Sequence, residues 1–155
     1  MGIDSNHVAR LLVELGECTP RIESIVQDAD APRWAIELED GLVVLAELDE
    51  TRNKLSLEID LGQPPEKHRL ATCEALMMFT SLEHTTAGLA MGLSEPDGEF
   101  QLYADVLLVD PAYSDLQSAF VGFTDQAQHW REIVACGAQH DLATGKDLSN
   151  PAFLA

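Results

Sequence analysis

Carboxylates are the most abundant groups in this 155-residue chain that could do chemistry, and those lying closest together sit in or beside turns. Asp40 precedes Gly41, Asp49-Glu50 opens a polar stretch, and Glu95, Asp97 and Glu99 surround Pro96 and Gly98. Two acids divide general acid and general base work only where burial or a like charge pushes one pKa upward. Turn positions are solvated, so these acids are expected to serve turns and solubility. Asp97-Gly98-Glu99 lacks the repeating acids of a calcium loop. The histidines (His7, His68, His84, His129, His140) contain no HExxH and no pair at ligand spacing, and Glu83-His84 stands alone. Cys18, Cys73 and Cys136 show neither zinc nor redox spacing and read as buried or half-buried free thiols. Cys73 lies among Ala71, Thr72, Ala75 and Leu76, which supply no base to activate it. Neither GxSxG nor SxxK is present, nor a glycine-rich nucleotide cradle. The expectation is a protein without catalytic residues, metal or cofactor.

The charge balance is extreme, with 9 Lys+Arg against 27 Asp+Glu for a formal net charge of −18. A negative surface repels phosphate backbones and anionic headgroups, which argues against nucleic acid and membrane as partners. It also keeps a chain soluble while it exposes apolar surface, as a binding protein must, or draws in a basic partner. No apolar run is long enough to span a bilayer. The start, Met1-Gly2-Ile3-Asp4-Ser5, lacks the features of a secretory signal, and Asn6 stands where myristoylation requires Ser or Thr. A cytoplasmic protein is expected.

The scaffold is an alternation of helical and extended patterns. Val8, Leu11, Leu12 and Leu15 form one helical stripe, with Asp4 or Ser5 as cap and Gly16 at its end. Residues 17–32 read as a loop in which Ile22, Ile25 and Val26 could anchor a turn or short strand. Trp34, Ile36 and Leu38 alternate with polar neighbours, Asp40-Gly41 is a hairpin turn, and Leu42–Leu48 is apolar on both faces, as in a strand covered on both sides. Leu55, Leu57, Ile59 and Leu61 mark a half-buried strand. After Pro64-Pro65 a helix is expected over residues 66–82, apolar nearly all round at its C-terminal end, and so either deeply buried or shared with a second subunit. A hairpin follows, of residues 86–93 and 99–109 joined by Pro96-Asp97-Gly98, in which Gly is expected to take positive φ. Ser114-Asp115-Leu116-Gln117 reads as a capping box. The stripe Leu116, Phe120, Phe123, Ala127, Trp130 and Val134 then runs to about Gly137. Residues 1–137 are expected to form a single domain and 138–155 a polar tail, loosely attached or disordered.

Two apolar features allow a binding reading beside a packing one. The stripe Val8, Leu11, Leu12, Leu15 is either core or a surface for a partner. The cluster Met77-Met78-Phe79 is either core or an interface between copies, since methionine adapts to many contacts.

The order helix, three strands, helix, two strands, helix resembles that of the class I chaperones of type III secretion, the CesT/Tir-chaperone family. The segments carrying the resemblance are residues 8–16, residues 38–45, and residues 88–93 through Trp130-Arg131, so that it covers residues 8–134. In that family the second helix often ends in a Leu-rich run leading to Asn, where this chain has Met77-Met78-Phe79-Thr80. The resemblance implies an α+β fold with a twisted antiparallel sheet and packed helices, a homodimer, and binding of the unfolded N-terminal segment of a secreted effector. It implies that Val8, Leu11, Leu12 and Leu15 contact the partner, together with exposed sheet surfaces, and that Leu76, Met77 and Phe79 form the dimer interface. The alternative function is an acidic immunity or inhibitor protein that masks a basic partner, which strong salt dependence would distinguish.

Overall fold

The protein is described by a computed structural model that covers residues 3–83, 88–108 and 113–138. It is an α+β fold. Helix α1 (Ser5–Cys18) leads into four strands, β1 (Ile22–Gln27), β2 (Arg33–Leu38), β3 (Val43–Asp49) and β4 (Lys54–Gly62). A single 3₁₀ turn (Glu66–His68) enters α2 (Arg69–Glu83), followed by β5 (Leu89–Leu93), β6 (Phe100–Leu107) and α3 (Tyr113–Cys136). The strands form one sheet in the order β1-β2-β3-β4-β6-β5, and the pairs from β1 to β4 are antiparallel. By its contacts the chain falls into two compact units, Met1–Ile59 with Tyr103–Asp125, and Asp60–Leu102 with Gln126–Ala155.

In the first unit, Asp4 caps α1, its Oδ1 accepting from the His7 backbone N–H at 2.7 Å. Gly16 does not end the helix, which runs two residues further. Its hydrogen side chain instead lets α1 approach β1, since a Cβ there would stand 3.2 Å from Ile25 Cδ1. The stretch read as a loop, in which Ile22, Ile25 and Val26 could anchor a turn or short strand, contains strand β1. Its burial does not alternate cleanly, because its register slips between Ile22 and Ser24. The Asp40-Gly41 turn forms as expected, with Gly41 at φ +80 and Asp40 Oδ1 accepting from Leu42 N–H.

The strand at Leu42–Leu48 corrects a second expectation. Register pairs Ile36 with Val44 and Trp34 with Ala46, so Val44, Ala46 and Leu48 join the core. Val43 and Leu45 then face outward, and Leu45 is 51% exposed. The sheet is covered on one face here, not two.

In the second unit, Phe79 of α2 meets Trp130 of α3 with ring centroids 4.8 Å apart and planes inclined at 58°. Thr72 is fully buried. Its hydroxyl donates to His68 O at 2.7 Å and accepts from Ala138 N–H at 3.0 Å, tying the end of α3 to the start of α2. Gly137, at φ +77, follows α3 where a Cβ would stand 2.6 Å from His68 Cβ. Arg69 holds the β5–β6 turn. Its guanidinium donates to Gly98 O at 3.1 Å and lies over the Phe100 ring. Within that turn the positive φ falls on Asp97 (+59), not on Gly98. Gly98 is required for close approach instead, because a Cβ would press on Ser94 Oγ and stand 2.9 Å from Glu95 N. The side chains of Ser114 and Asp115 in the capping box, the beginning of the predicted strand at 86–93, and the tail from 139 onward lie outside the described residues.

Candidate functional site

The groups singled out for chemistry do not converge. Asp49 accepts from the Thr51 hydroxyl at 2.6 Å and from the backbone N–H groups of Thr51 and Arg52, which holds its carboxyl below the usual aspartate range. The Asp97 carboxylate lies 3.9 Å from the Arg69 guanidinium, and its backbone carbonyl accepts from Gln63 Nε2 at 3.4 Å. These acids organise turns. Cys18 and Cys136 are exposed and Cys73 is half-buried, so two of the three thiols lie further out than expected, all three free. Among the described residues, no group of three His, Cys, Asp or Glu side chains could hold a metal ion. No described helix is long and apolar enough to cross a membrane.

The expected partner stripe is placed in the core. Val8, Leu12 and Leu15 have no exposed surface and Leu11 has almost none, because α1 lies against β1 with this face inward. A partner would reach these leucines if α1 lifted away from the sheet. The apolar residue that α1 does present to solvent is Val13. The expected dimer residues divide. Leu76 and Phe79 are buried, whereas Met77 is 73% exposed. Met77 shares the outer face of α2 with Leu70, and Leu82 is also exposed. Beside it, Thr80 Oγ1 accepts from Met91 N–H of the edge strand β5, and Met77, Thr80, Ser81 and Met91 line a shallow cavity of about 370 Å³.

A concavity of about 660 Å³ lies in the first unit, on the outer face of the sheet. Its floor follows from register. Val26 of β1 is opposite Ala35 of β2, Ala35 opposite Leu45 of β3, and Leu45 opposite Glu58 of β4. One cross-strand row therefore runs from three apolar side chains to a carboxylate, with neighbours about 4.8 Å apart. In the next row, Arg33 donates to Glu47 across β2 and β3 at 3.1 Å, an exposed pair in which Glu47 raises the guanidinium's already high pKa. On β6, Asp105 takes hydrogen bonds from the Lys54 ammonium at 2.9 Å and the Ser56 hydroxyl at 2.8 Å. Asp28 and Tyr103 complete the rim. The geometry offers exposed apolar surface bordered by carboxylates and suits binding rather than bond making.

Leu45 escaped the sequence reading, and Val26, read there as an anchor, is exposed. The signal was present in pairing: once Ile36 faces the core, its partner Val44 must do the same, and adjacent Leu45 must face out.

Comparison with known proteins gives a family and a fold. Residues 21–131 match the Tir chaperone protein (CesT) family. A chain in the crystal structure of the ExsC–ExsE complex superposes with a TM-score of 0.70 at 23% identity, covering 89% of this chain and 100% of that chain. A chain in the structure of the HopA1–SchA chaperone–effector complex superposes with a TM-score of 0.64 at 20% identity, covering 84% and 98% respectively. At such identities the likeness is one of fold. No curated protein sequence matches the chain.

Proposed function

The chain belongs to the Tir chaperone protein (CesT) family, and from that premise we propose that it is a type III secretion chaperone. It binds the unfolded N-terminal segment of a secreted effector in the cytoplasm and keeps that segment soluble and competent for secretion. The observation that carries this reading is the exposed, partly apolar outer face of β1–β4, where Val26, Ala35 and Leu45 stand in one row. A folded effector would hide its apolar residues, whereas an extended one needs a surface to cover them. Holding the segment extended delays folding and aggregation without making or breaking a bond, so the action is not enzymatic. The net charge of −18 supports it by keeping the chaperone soluble while apolar surface is open.

The protein acts as a homodimer through the outer face of α2 and the neighbouring edge strand β5. Met77, Leu70 and Leu93 are exposed there, while Leu76 and Phe79 support that face from beneath. Buried against a second copy, these side chains would remove an apolar surface that a monomer leaves in water.

Co-expression with secreted proteins encoded beside this chain tests the reading, with size-exclusion chromatography and light scattering as readout. The expected result is a complex of two copies of this chain with one effector, lost when the effector's N-terminal segment is deleted. Failure of every candidate N-terminal segment to bind would overturn it.

A further inference from the structure

We propose that Ala35, on the outer face of the sheet, is the floor of a socket that takes a single aliphatic side chain of the effector segment. This deepens the effector-binding reading and rests on it for the source of that segment. The socket follows from register. Val26 of β1 and Leu45 of β3 are the cross-strand partners of Ala35, and both are more than half exposed. Along β2 its same-face neighbours are Arg33 and Glu37, two residues away on either side. All four are larger than alanine, so one methyl group lies in the middle of a ring of longer side chains. Neighbours in a row are about 4.8 Å apart, so the space above Ala35 is one side chain wide.

The charges around this socket are already engaged, and that decides the chemistry of its occupant. Arg33 donates to Glu47 at 3.1 Å, and Glu37 accepts from Ser24 Oγ at 3.1 Å. Further along the groove, Asp105 accepts from Lys54 and Ser56, and Asp28 accepts from the Asp30 N–H at 3.0 Å. Nor is Glu58 free. A charged side chain entering the socket would leave water without meeting an unengaged counter-charge among these groups. Over Val26, Ala35 and Leu45 that desolvation is costly. An aliphatic side chain gives up no hydration of that kind, and it covers the exposed surface of Val26 and Leu45 as it enters. The matching occupant is an extended segment that presents one neutral aliphatic anchor to Ala35.

Methyl-resolved NMR of the full-length protein tests this with the blocked neutral peptide acetyl-Ser-Thr-Leu-Thr-Ser-amide. The controls carry Ala or Lys in place of Leu. The leucine peptide is expected to shift the Val26 and Leu45 methyl resonances saturably, and to bind at least about tenfold tighter than either control. Ala35→Leu fills the socket from within and should weaken that binding at least about tenfold, although it adds apolar surface. Val43→Leu adds bulk on the same face outside the ring and should leave binding nearly unchanged. Should Ala35→Leu lower the melting temperature, Ala35→Val fills the socket with a better strand former and the same loss is expected. The comparison of peptides on the parent protein decides the matter independently of any variant. Absence of leucine-peptide binding, equal binding of either control, or full binding by a well-folded Ala35→Leu protein would overturn the proposal. A light-scattering mass that falls on Ala35→Leu with no peptide present would make a second copy the occupant and overturn it as well. The two readings fail separately. An effector complex that forms unchanged with Ala35→Leu removes the socket and leaves the chaperone function standing. Socket binding of the leucine peptide without any effector complex does the reverse.

Discussion

Leu45 of β3 is paired in register with Glu58 of β4, so an exposed apolar side chain and a carboxylate stand side by side on the sheet face turned away from the core. The neighbours of Leu45 in sequence, Val44 and Ala46, are almost wholly buried. Alternation at a period of two thus divides one apolar run into a buried half and an exposed half.

That division is measurable by urea unfolding. Leu12→Ala removes buried methyl groups and is expected to cost about 2–5 kcal/mol. Leu45→Ser, at an exposed position, should stay within about 0.5 kcal/mol of the parent protein. A large loss at Leu45 would mean that both faces of β3 are structural.

On α2, Met77→Asp is expected to leave the melting temperature of the isolated chain nearly unchanged and to halve the mass seen by light scattering. Phe79→Ala, two residues away, breaks the contact with Trp130 and should cost about 3–5 kcal/mol, with a change in tryptophan fluorescence. A Met77→Asp protein that keeps the mass of two chains would move the dimer contact off this face.

Thr72 makes a prediction about the seam between α2 and the end of α3. Thr72→Val keeps the shape and removes the acceptor of the Ala138 N–H, so it should cost about 1–3 kcal/mol, whereas Thr72→Ser retains the hydroxyl and most of the stability. Thermal melts of both variants check this.

Asp49 gives a dependence on pH with a definite sign. Hydrogen bonds from Thr51 and Arg52 lower its folded pKa from the ordinary value of 3.8. A lowered folded pKa means that the stabilisation is fully present above 3.8 and is lost as pH falls through the folded value. Asp49→Ala is therefore expected to lower the urea midpoint at pH 7, and the gap from the parent protein should close at acid pH below the lowered value. A gap that persists unchanged there would assign the loss to something other than the carboxylate.

Much of this architecture was legible in the chain because it follows from local periodicity. The helical stripes of α1 and α3, the alternation in β2 and β4, and the Asp40-Gly41 turn need only nearest neighbours to specify them. What escaped was set at a distance. Strand β1 is an edge strand whose alternation is broken by a register slip, so its pattern is weak without its partner β2. The exposure of Leu45 depends on how β3 aligns with β2, which composition does not encode. Val8, Leu11, Leu12 and Leu15 carry the same stripe whether a helix faces a core or a partner, and only the sheet beside α1 decides between them. The split of Leu76 and Phe79 from Met77 is a matter of rotation about the α2 axis, which the apolar surround of that helix obscures.

The central claim is that an extended effector segment lies on the outer sheet face and not on the stripe of α1. Methyl-resolved NMR of the protein titrated with the N-terminal segment of its effector reads both surfaces at once. The expected result is a saturable shift of the Val26 and Leu45 methyl resonances, with those of Val8, Leu12 and Leu15 nearly still. Large shifts in the α1 leucines with Val26 and Leu45 unmoved would contradict the account.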